Sequence, residues 1–554
     1  MVNVKNLFGM AVMATALVGC SSNDNLAPDG NGGNKDGAAY ASFTINLPTT
    51  RATRATDGEP SFAEGDAKEY EVKNGTILIF DMDGKYVTSA QLGNMNPWKD
   101  IKTDGVTTAA TATVQLSGVT VGGSYQALVL LNNDVDASTS KVKLPTAGES
   151  YATWSAKAEN ANATYTNTDY IFMANAPKYT GTSTEPTTLV PVANICASRE
   201  QAEAQAATTV YVERGLAKVT MQKFNADGYS IAAGTYEGGK VKITAWQLDV
   251  TNKSTFPVHQ TDGLMTAWDQ IWNTGRFFDA TSSMFQRVYW GKDPNYSGGA
   301  LQDLAACKDA FNMITNDKVV GEAGIENPQY CLENTFDLAN MMQGQTTRVV
   351  FKAVFTPKDF VTGQTFYKIG NTTAIWDATK LAQQIKTVAF KAMKITTADE
   401  QAKYSVDLSK GSNISGVAGL HKITADNITF TGEGESKVKP DVVDAINEKL
   451  GLKEAGISTY LNGEAYYIAR IKHFNELTPW TAGTPYNGDN NAFLGRYGVL
   501  RNNWYDLSVN SISGLGYPDV PEVKPEMPDD ENEQYINVEV KILDWAKRSQ
   551  SIDL

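Results

Sequence analysis

Short apolar runs with a period of two, each closed by glycine, asparagine or aspartate, constrain this chain more than any other feature. GTILIFDMDGKYVT, from Gly75 to Thr88, is a hairpin turned at Asp83-Gly84. Thr111 to Asn133 supplies at least two more strands. Thr208 to Phe224, Lys240 to Ser254, Thr346 to Pro357, Glu464 to Phe474 and Tyr505 to Leu515 follow. Strands separated by turns, with no helical run between each pair, predict antiparallel β-sandwiches and not βαβ units. The expected fold is all-β with minor α. Two helical stretches are expected as packing elements. WDATKLAQQIKTVAFKAM sets Leu381, Ile385 and Val388 on one face, and KPDVVDAINEKLGL begins at Pro440 and is closed by Gly451.

A chain of 554 residues with 42% hydrophobic and 10% aromatic content has globular composition and the length of two to four domains. The polar, alanine-rich run near 196–208 predicts a boundary. It divides an N-terminal sandwich, 55–207, from a larger C-terminal region, 208–517, with an insertion of mixed structure at about 255–345.

The first residues read as an export signal. Lys5 precedes the apolar run Leu7 to Val18, which is too short to span a bilayer and suits a signal peptide, residues 1–19. Leu17-Val18-Gly19-Cys20 resembles a bacterial lipobox, so Cys20 is expected to carry lipid, including palmitate; the alternative is an ordinary signal peptide with an incidental cysteine. Residues 21–40 are rich in Gly, Asn and Asp and read as a tether. A net charge of −14 argues against nucleic acid or anionic lipid as partner and suits a solvated extracellular surface. Cys307 and Cys331 could pair, leaving Cys196 over, but three reduced or partly buried cysteines is the preferred reading. Stability must then come from hydrophobic cores.

Signals of catalysis are missing. His259, His421 and His473 are the only histidines, and no two have metal-ligand spacing. Neither a Gly-x-Ser-x-Gly elbow nor a P-loop occurs. Asp81-Met82-Asp83-Gly84 shares the start of a calcium loop but lacks the later ligands, and a hairpin turn explains it. The ten tryptophans read as core and strand packing more readily than as a glycan platform, and paired acids among 62 carboxylates carry no spacing signal. The expectation is no enzyme, no cofactor and no metal.

The two ends of the chain carry the unusual signals. In ASFTINLPTTRATRAT, Phe43, Ile45 and Leu47 alternate as a half-buried strand that Pro48 stops. Arg51 and Arg54 follow it, the only arginines before Arg199. At the far end, Pro518, Pro521, Pro525 and Pro528 space an acidic stretch that reads as a semi-rigid extended linker. Ile536, Val538, Val540 and Ile542 then alternate with Asn537, Glu539 and Lys541: one strand with no hairpin mate adjacent in sequence. Two readings stay open. The tail is the last strand of its own domain, or it adds to a sheet edge of another molecule.

At VYVERGLAKVT (210–220), LRNNWYDLSVNSISGLGYP (500–518) and INVEVKILDWAKRSQSIDL (536–554), the chain resembles the fimbrillins of Bacteroidales type V pili, of the Mfa type whose major subunit builds short fimbriae. The resemblance runs in order from lipobox to terminus and is weakest around 255–345. It implies two transthyretin-like sandwiches in tandem with a C-terminal donor strand. It also implies export as an outer-membrane lipoprotein and removal of a propeptide, 20–54, by an extracellular Arg-specific protease cutting at Arg51 or Arg54. Phe43, Ile45 and Leu47 would then be placeholder side chains. The segment from Ile536 through Val538, Val540 and Ile542 to Trp545, tethered by 518–535, would be the strand donated into the vacated groove of the next copy. The implied partners are further copies of the chain, accessory, tip and anchor fimbrial proteins, and host or bacterial surface receptors. The implied roles are adhesion, biofilm formation and virulence at the cell surface. An accessory or tip fimbrillin and a monomeric glycan-binding surface lipoprotein are the alternatives.

Surface protein taken from cells should begin at Ala52 or Ala55 and carry no lipid, read by intact mass. Most of it remaining acylated at Cys20 would favour the surface-lipoprotein alternative.

Overall fold

The computed structural model of the chain describes residues 38–47, 69, 71–93, 108–134, 140–161, 165–166, 169–178, 186–264, 288, 290–296, 301, 303–370, 372–414, 417–452, 456–473, 486, 493–529 and 536–544. Strands dominate and helices are few, as the alternation predicts. The largest sheet holds β1 (Ala39–Leu47), β2 (Gly75–Phe80), β3 (Tyr86–Gln91), β4 (Thr108–Leu116), β5 (Gln126–Leu131), β6 (Met173–Asn175), β7 (Val190–Pro191) and β8 (Thr208–Arg214). Their order is β3-β2-β5-β6-β8-β1-β4, with β7 on β5. The sheet curls on itself: Phe43 and Ile45 of β1 and Val114 of β4 share one core with Ile77 and Ile79 of β2 and Val129 of β5.

The β2–β3 hairpin turns where expected. Gly84 takes φ +75°, and the Asp81 carboxylate accepts from the N–H groups of Asp83 and Lys85 at 3.0 and 2.8 Å. All six residues of β2 are buried, because Leu78 and Phe80 on its second face enter another core. That core holds Leu128, Leu130, Trp154 and Phe172, and also Leu216, Leu332 and Trp504 from the strands that follow. A strand covered on both faces reads as a continuous apolar run, and GTILIF is one.

The chain continues with β9 (Leu216–Met221), β10 (Lys240–Asp249), β11 (Gly324–Leu332), β12 (Arg348–Thr356), β13 (Glu464–Arg470), β14 (Asn503–Ile512) and β15 (Ile536–Asp544). One sheet runs β11-β9-β14-β15. A second runs from a short Tyr229–Ser230 strand through β10 and β12 to β13. They enclose Val219, Trp246, Phe351, Tyr467, Tyr505 and Leu507.

The strand pairings bear on two expectations, the boundary and the insertion. The run from Thr208 to Phe224 is two strands in different sheets: β8 pairs among the N-terminal strands, and the chain passes to the next sheet at Gly215, whereas the expected boundary lay at 207/208. A Cβ at Gly215 would stand 2.3 Å from the Tyr165 hydroxyl, which is why the residue there has none. The expected insertion at 255–345 contains β11, a full member of the β11-β9-β14-β15 sheet; its tryptophan-rich part, 265–287, lies outside the described residues. The intervening lobe is instead 357–463, between β12 and β13, which pair with each other from Arg348↔Arg470 to Val354↔Glu464. It carries its own five-stranded sheet with α1 (Ala378–Met393) and α2 (Pro440–Lys449), around Leu381, Ile385, Ala389, Met393 and Ile446. Val388 is only partly buried, because the stripe turns through Ala389. Asp377 caps α1 at its N-terminus, accepting from the Lys380 N–H at 2.8 Å. Pro440 opens α2, and Gly451, at φ +67°, follows its end.

Among the described residues the sheets are antiparallel apart from two pairings that place strands remote in sequence side by side. β1 runs parallel to β8, and β9 parallel to β14. Parallel neighbours cannot be hairpin mates. Cys196, Cys307 and Cys331 are buried thiols with no disulfide between them, the arrangement preferred from sequence.

Leu381→Ala should cost about 3 kcal/mol through lost burial and a residual cavity. Because Leu381 lies in the lobe's own core, hydrogen exchange should accelerate across 366–460 while amides of β10 and β12 keep their protection.

Candidate functional site

The first strand is built into the middle of its sheet. β1 pairs antiparallel with β4 from Ala39↔Leu116 to Leu47↔Thr108, and parallel with β8 from Phe43↔Thr208 to Asn46↔Tyr211. Alternation sends Ala39, Ala41, Phe43 and Ile45 into the core, each with no exposed surface. Leu47 closes the ladder opposite Thr108. Ala39 and Ala41 were missed from sequence because alanine gives little apolar signal and they adjoin the Gly/Asn/Asp-rich run. The strand's other face is covered too. Ser42 Oγ donates to the Ala202 carbonyl at 2.9 Å, and Tyr40 and Cys196 exchange backbone hydrogen bonds of 2.9 and 2.8 Å. The Arg199 guanidinium lies 5.8 Å from the Tyr40 ring centroid and donates to the Thr113 carbonyl at 2.9 Å. Among the described residues β4 has no other ladder partner, so taking β1 away would leave β4 alone and a slot beside β8. Cys20, Arg51 and Arg54 lie outside the described residues.

The last strand lies on its own molecule. β15 pairs antiparallel with β14 from Asn503↔Asp544 to Ile512↔Ile536, with a bulge between Val509 and Ser511. Ile536, Val538, Val540 and Ile542 stand opposite Ile512, Val509, Leu507 and Tyr505. Val538 is buried in the core that holds Tyr505 and Leu507. Trp545 lies outside the described residues. Of the two readings the sequence left open, this arrangement is the intramolecular one.

The acidic, proline-spaced segment before it is not the extended tether expected. Residues 518–529 are docked. The Asp519 carboxylate accepts from the Asn316 amide at 2.5 Å and from the Gly419 N–H. Arg348, ion-paired with Asp249 at 2.8 Å, donates to the Pro521 carbonyl at 2.6 Å. Val523 packs with Val250 and Phe311. Pro528 bridges Met342, and Asp529, fully buried, accepts from Thr346 Oγ1 at 2.8 Å. Proline removes backbone donors but leaves every carbonyl, and those carbonyls and the carboxylates meet donors on 316–348 and at Gly419. The spacing of prolines did not reveal that.

A buried set of charges ties the two halves together, and sequence reasoning missed it. Glu69 has no exposed surface; its carboxylate meets the Lys218 ammonium at 2.6 Å and accepts from the Tyr330 hydroxyl. Lys218 stands 3.7 Å from the Trp504 ring centroid. Arg214, last residue of β8, donates to the Glu69 carbonyl at 2.8 Å and to Asn502 Oδ1 at 3.3 Å. Glu213 meets His259 Nδ1 at 2.6 Å, and Arg501 meets Glu333 at 3.2 Å. The available signal was the placing of Glu213, Arg214 and Lys218 within otherwise apolar strand sequence; Arg501, in the turn before β14, gave no such signal. Buried charges persist only when paired. Burial alone would lower the pKa of His259, but Glu213 and Glu333 outweigh it and hold the imidazole above its ordinary value. Burial pushes Asp293 up to about 7, against the N–H groups of Thr335 and Asn295. Among the described residues no group of three or more His, Cys, Asp or Glu is placed to hold a metal, and no helix is long and apolar enough to cross a membrane.

Residues 458–551, which include β13, β14, the docked segment and β15, match the family model described as "Major fimbrial subunit protein type IV, Fimbrillin, C-terminal". No curated protein matches the chain. Among solved structures, a "putative cell adhesion protein" from Parabacteroides distasonis is 10% identical, with a TM-score of 0.41, covering 93% of this chain and 100% of that one. The tip fimbrial protein Mfa3 from Porphyromonas gingivalis, C-terminally truncated, is 10% identical with a TM-score of 0.31, covering 91% and 100%. A fimbrial assembly protein from Parabacteroides distasonis is 11% identical with a TM-score of 0.24, covering 58% and 96%.

Both His259 and Asp293 hold a proton more tightly folded than unfolded. Their contribution is therefore complete below the unfolded pKa and lost as pH rises through the folded one. The window opens at 3.8 and closes near 7 for Asp293, and runs upward from 6.5 for His259. The urea midpoint should fall from about pH 6 to about pH 8, and Asp293→Asn should flatten that fall.

Proposed function

From a C-terminal region, 458–551, that is of the fimbrillin family, we propose that this chain is a structural subunit of a cell-surface fimbria and that it polymerises by strand exchange. The observation that carries this reading is the position of β1. A strand inserted between a parallel and an antiparallel neighbour, with Phe43 and Ile45 in the core, holds a place that a second strand can fill. In this reading the chain is exported as a lipoprotein on Cys20, cut at Arg51 or Arg54, and loses β1. The slot between β8 and β4 then takes the alternating strand of another copy, carried by Ile536, Val538, Val540, Ile542 and Trp545. β1 and β15 are each nine residues long, so one can replace the other in length. The stalk position follows from having both a slot and a strand to give, and adhesion and biofilm formation would arise from the fibre. The chain would be structural and not an enzyme, with its copies, accessory fimbrial proteins and an Arg-specific protease as partners.

The pairing of β15 with β14 favours a second reading, a subunit or monomeric surface protein that keeps its own tail. Mutations of the tail separate the two. Lysine at Val538 or Val540 would put an unpaired charge into the accepting core, costing several kcal/mol, and should abolish SDS-resistant ladders of Arg-cleaved subunits. Lysine at Asn537 or Glu539 should leave most of the ladder. Arg51→Ala with Arg54→Ala should give a folded precursor that stays monomeric. Normal ladders from a chain ending at Glu533 would overturn donation from this end.

A further inference from the structure

Under strand exchange, the arm that swings need not include the proline-spaced segment. Residues 518–529 are fixed to the body by polar and apolar contacts of independent kinds. These are the Asp519–Asn316 and Arg348–Pro521 hydrogen bonds, the burial of Val523, and the two-sided bridge of Pro528 with Met342. In that bridge Gln343 N–H donates to the Met527 carbonyl at 2.9 Å and Asp529 N–H to the Met341 carbonyl at 3.1 Å. Asp529 itself is fully buried. Among the described residues β15 is hydrogen-bonded along one edge, to β14. The docked segment and the β14–β15 ladder are thus separate attachments, and strand exchange requires only the second to open.

We propose that 518–529 stay docked during assembly and that only the chain beyond Asp529 moves. This rests on the strand-exchange reading and deepens it by fixing where the accepting copy must lie. Seven residue steps separate Asp529 from Ile536, so the start of the tail strand reaches at most about 25 Å from Asp529. A freely extended arm from Pro518 would reach more than twice as far. The accepting slot of the next copy must therefore begin within about 25 Å of Asp529. The β14 edge is uncovered when the tail leaves, and its unpaired backbone groups add to the reasons for the next copy to pack close.

Two engineered disulfides test this on the full chain, cleaved by an Arg-specific protease and scored by SDS-resistant ladders, with bond formation read from intact mass under non-reducing conditions. Met342→Cys with Pro528→Cys clamps the docked segment at a site where the flanking hydrogen bonds bring the two backbones together. Ser508→Cys with Glu539→Cys clamps β15 to β14 at a register pair. The expected result is ladders from the oxidised 342–528 clamp at the wild-type level, and at least a tenfold loss from the oxidised 508–539 clamp, restored by reductant. Loss of ladders with the 342–528 clamp, restored by reductant, would show that the segment must undock and would overturn the inference while leaving strand exchange standing. Normal ladders from both oxidised clamps would show that the tail never leaves β14, and the strand-exchange reading itself would fall.

Discussion

A β-strand cannot leave its backbone N–H and C=O groups unpaired in a buried sheet, and the rest of this structure depends on how that demand is met by the chain's two ends. β1 enters from the N-terminal side and holds β4 to β8. β15 arrives last and covers the edge of β14. Both are hydrogen-bonded over nine residues to strands that are not their hairpin mates, and these are the two elements proposed to exchange.

The rest of the body is tied together by contacts that involve neither strand. Glu69, Lys218, Arg214 and Asn502 join the segment before β2, the β8–β9 crossing and the start of β14 through buried charge contacts. Breaking one partner of such a pair costs about 3–5 kcal/mol, so the junction resists opening far more than an exposed ion pair would. Glu69 lies downstream of Arg54, and its contacts hold the chain that a cut would turn into a new N-terminus. The 357–463 lobe is independent in another way, closing its own core between two strands that already pair.

Much of this was legible in the sequence, for identifiable reasons. The alternation of Phe43 with Ile45, the Asp-Gly hairpin and the helix ends at Pro440 and Gly451 are local signals, and each formed where expected. Resemblance at 500–518 and 536–554 pointed to the region that the fimbrillin match covers. What escaped was non-local. Ala39 and Ala41 gain their importance from β4 and β8, not from their own hydrophobicity. Gly215 reads as an ordinary glycine until Tyr165 is seen against it. The lobe was readable as helices and strands, but its place between β12 and β13 is a matter of pairing across more than a hundred residues. The docked segment was misread because acidity and proline spacing describe an isolated chain, whereas Asn316, Arg348 and Thr346 decide its course.

The most direct measurement is hydrogen exchange at β4, residues 108–116, followed from precursor to cleaved monomer to fibre. The account predicts slow exchange in the precursor, where β1 pairs with β4. It predicts fast exchange once the Arg-cleaved β1 peptide is removed, and slow exchange again in fibres but not in a cleaved chain lacking 534–554. Persistently slow exchange at β4 after cleavage, with the β1 peptide still bound in the fibre, would contradict it.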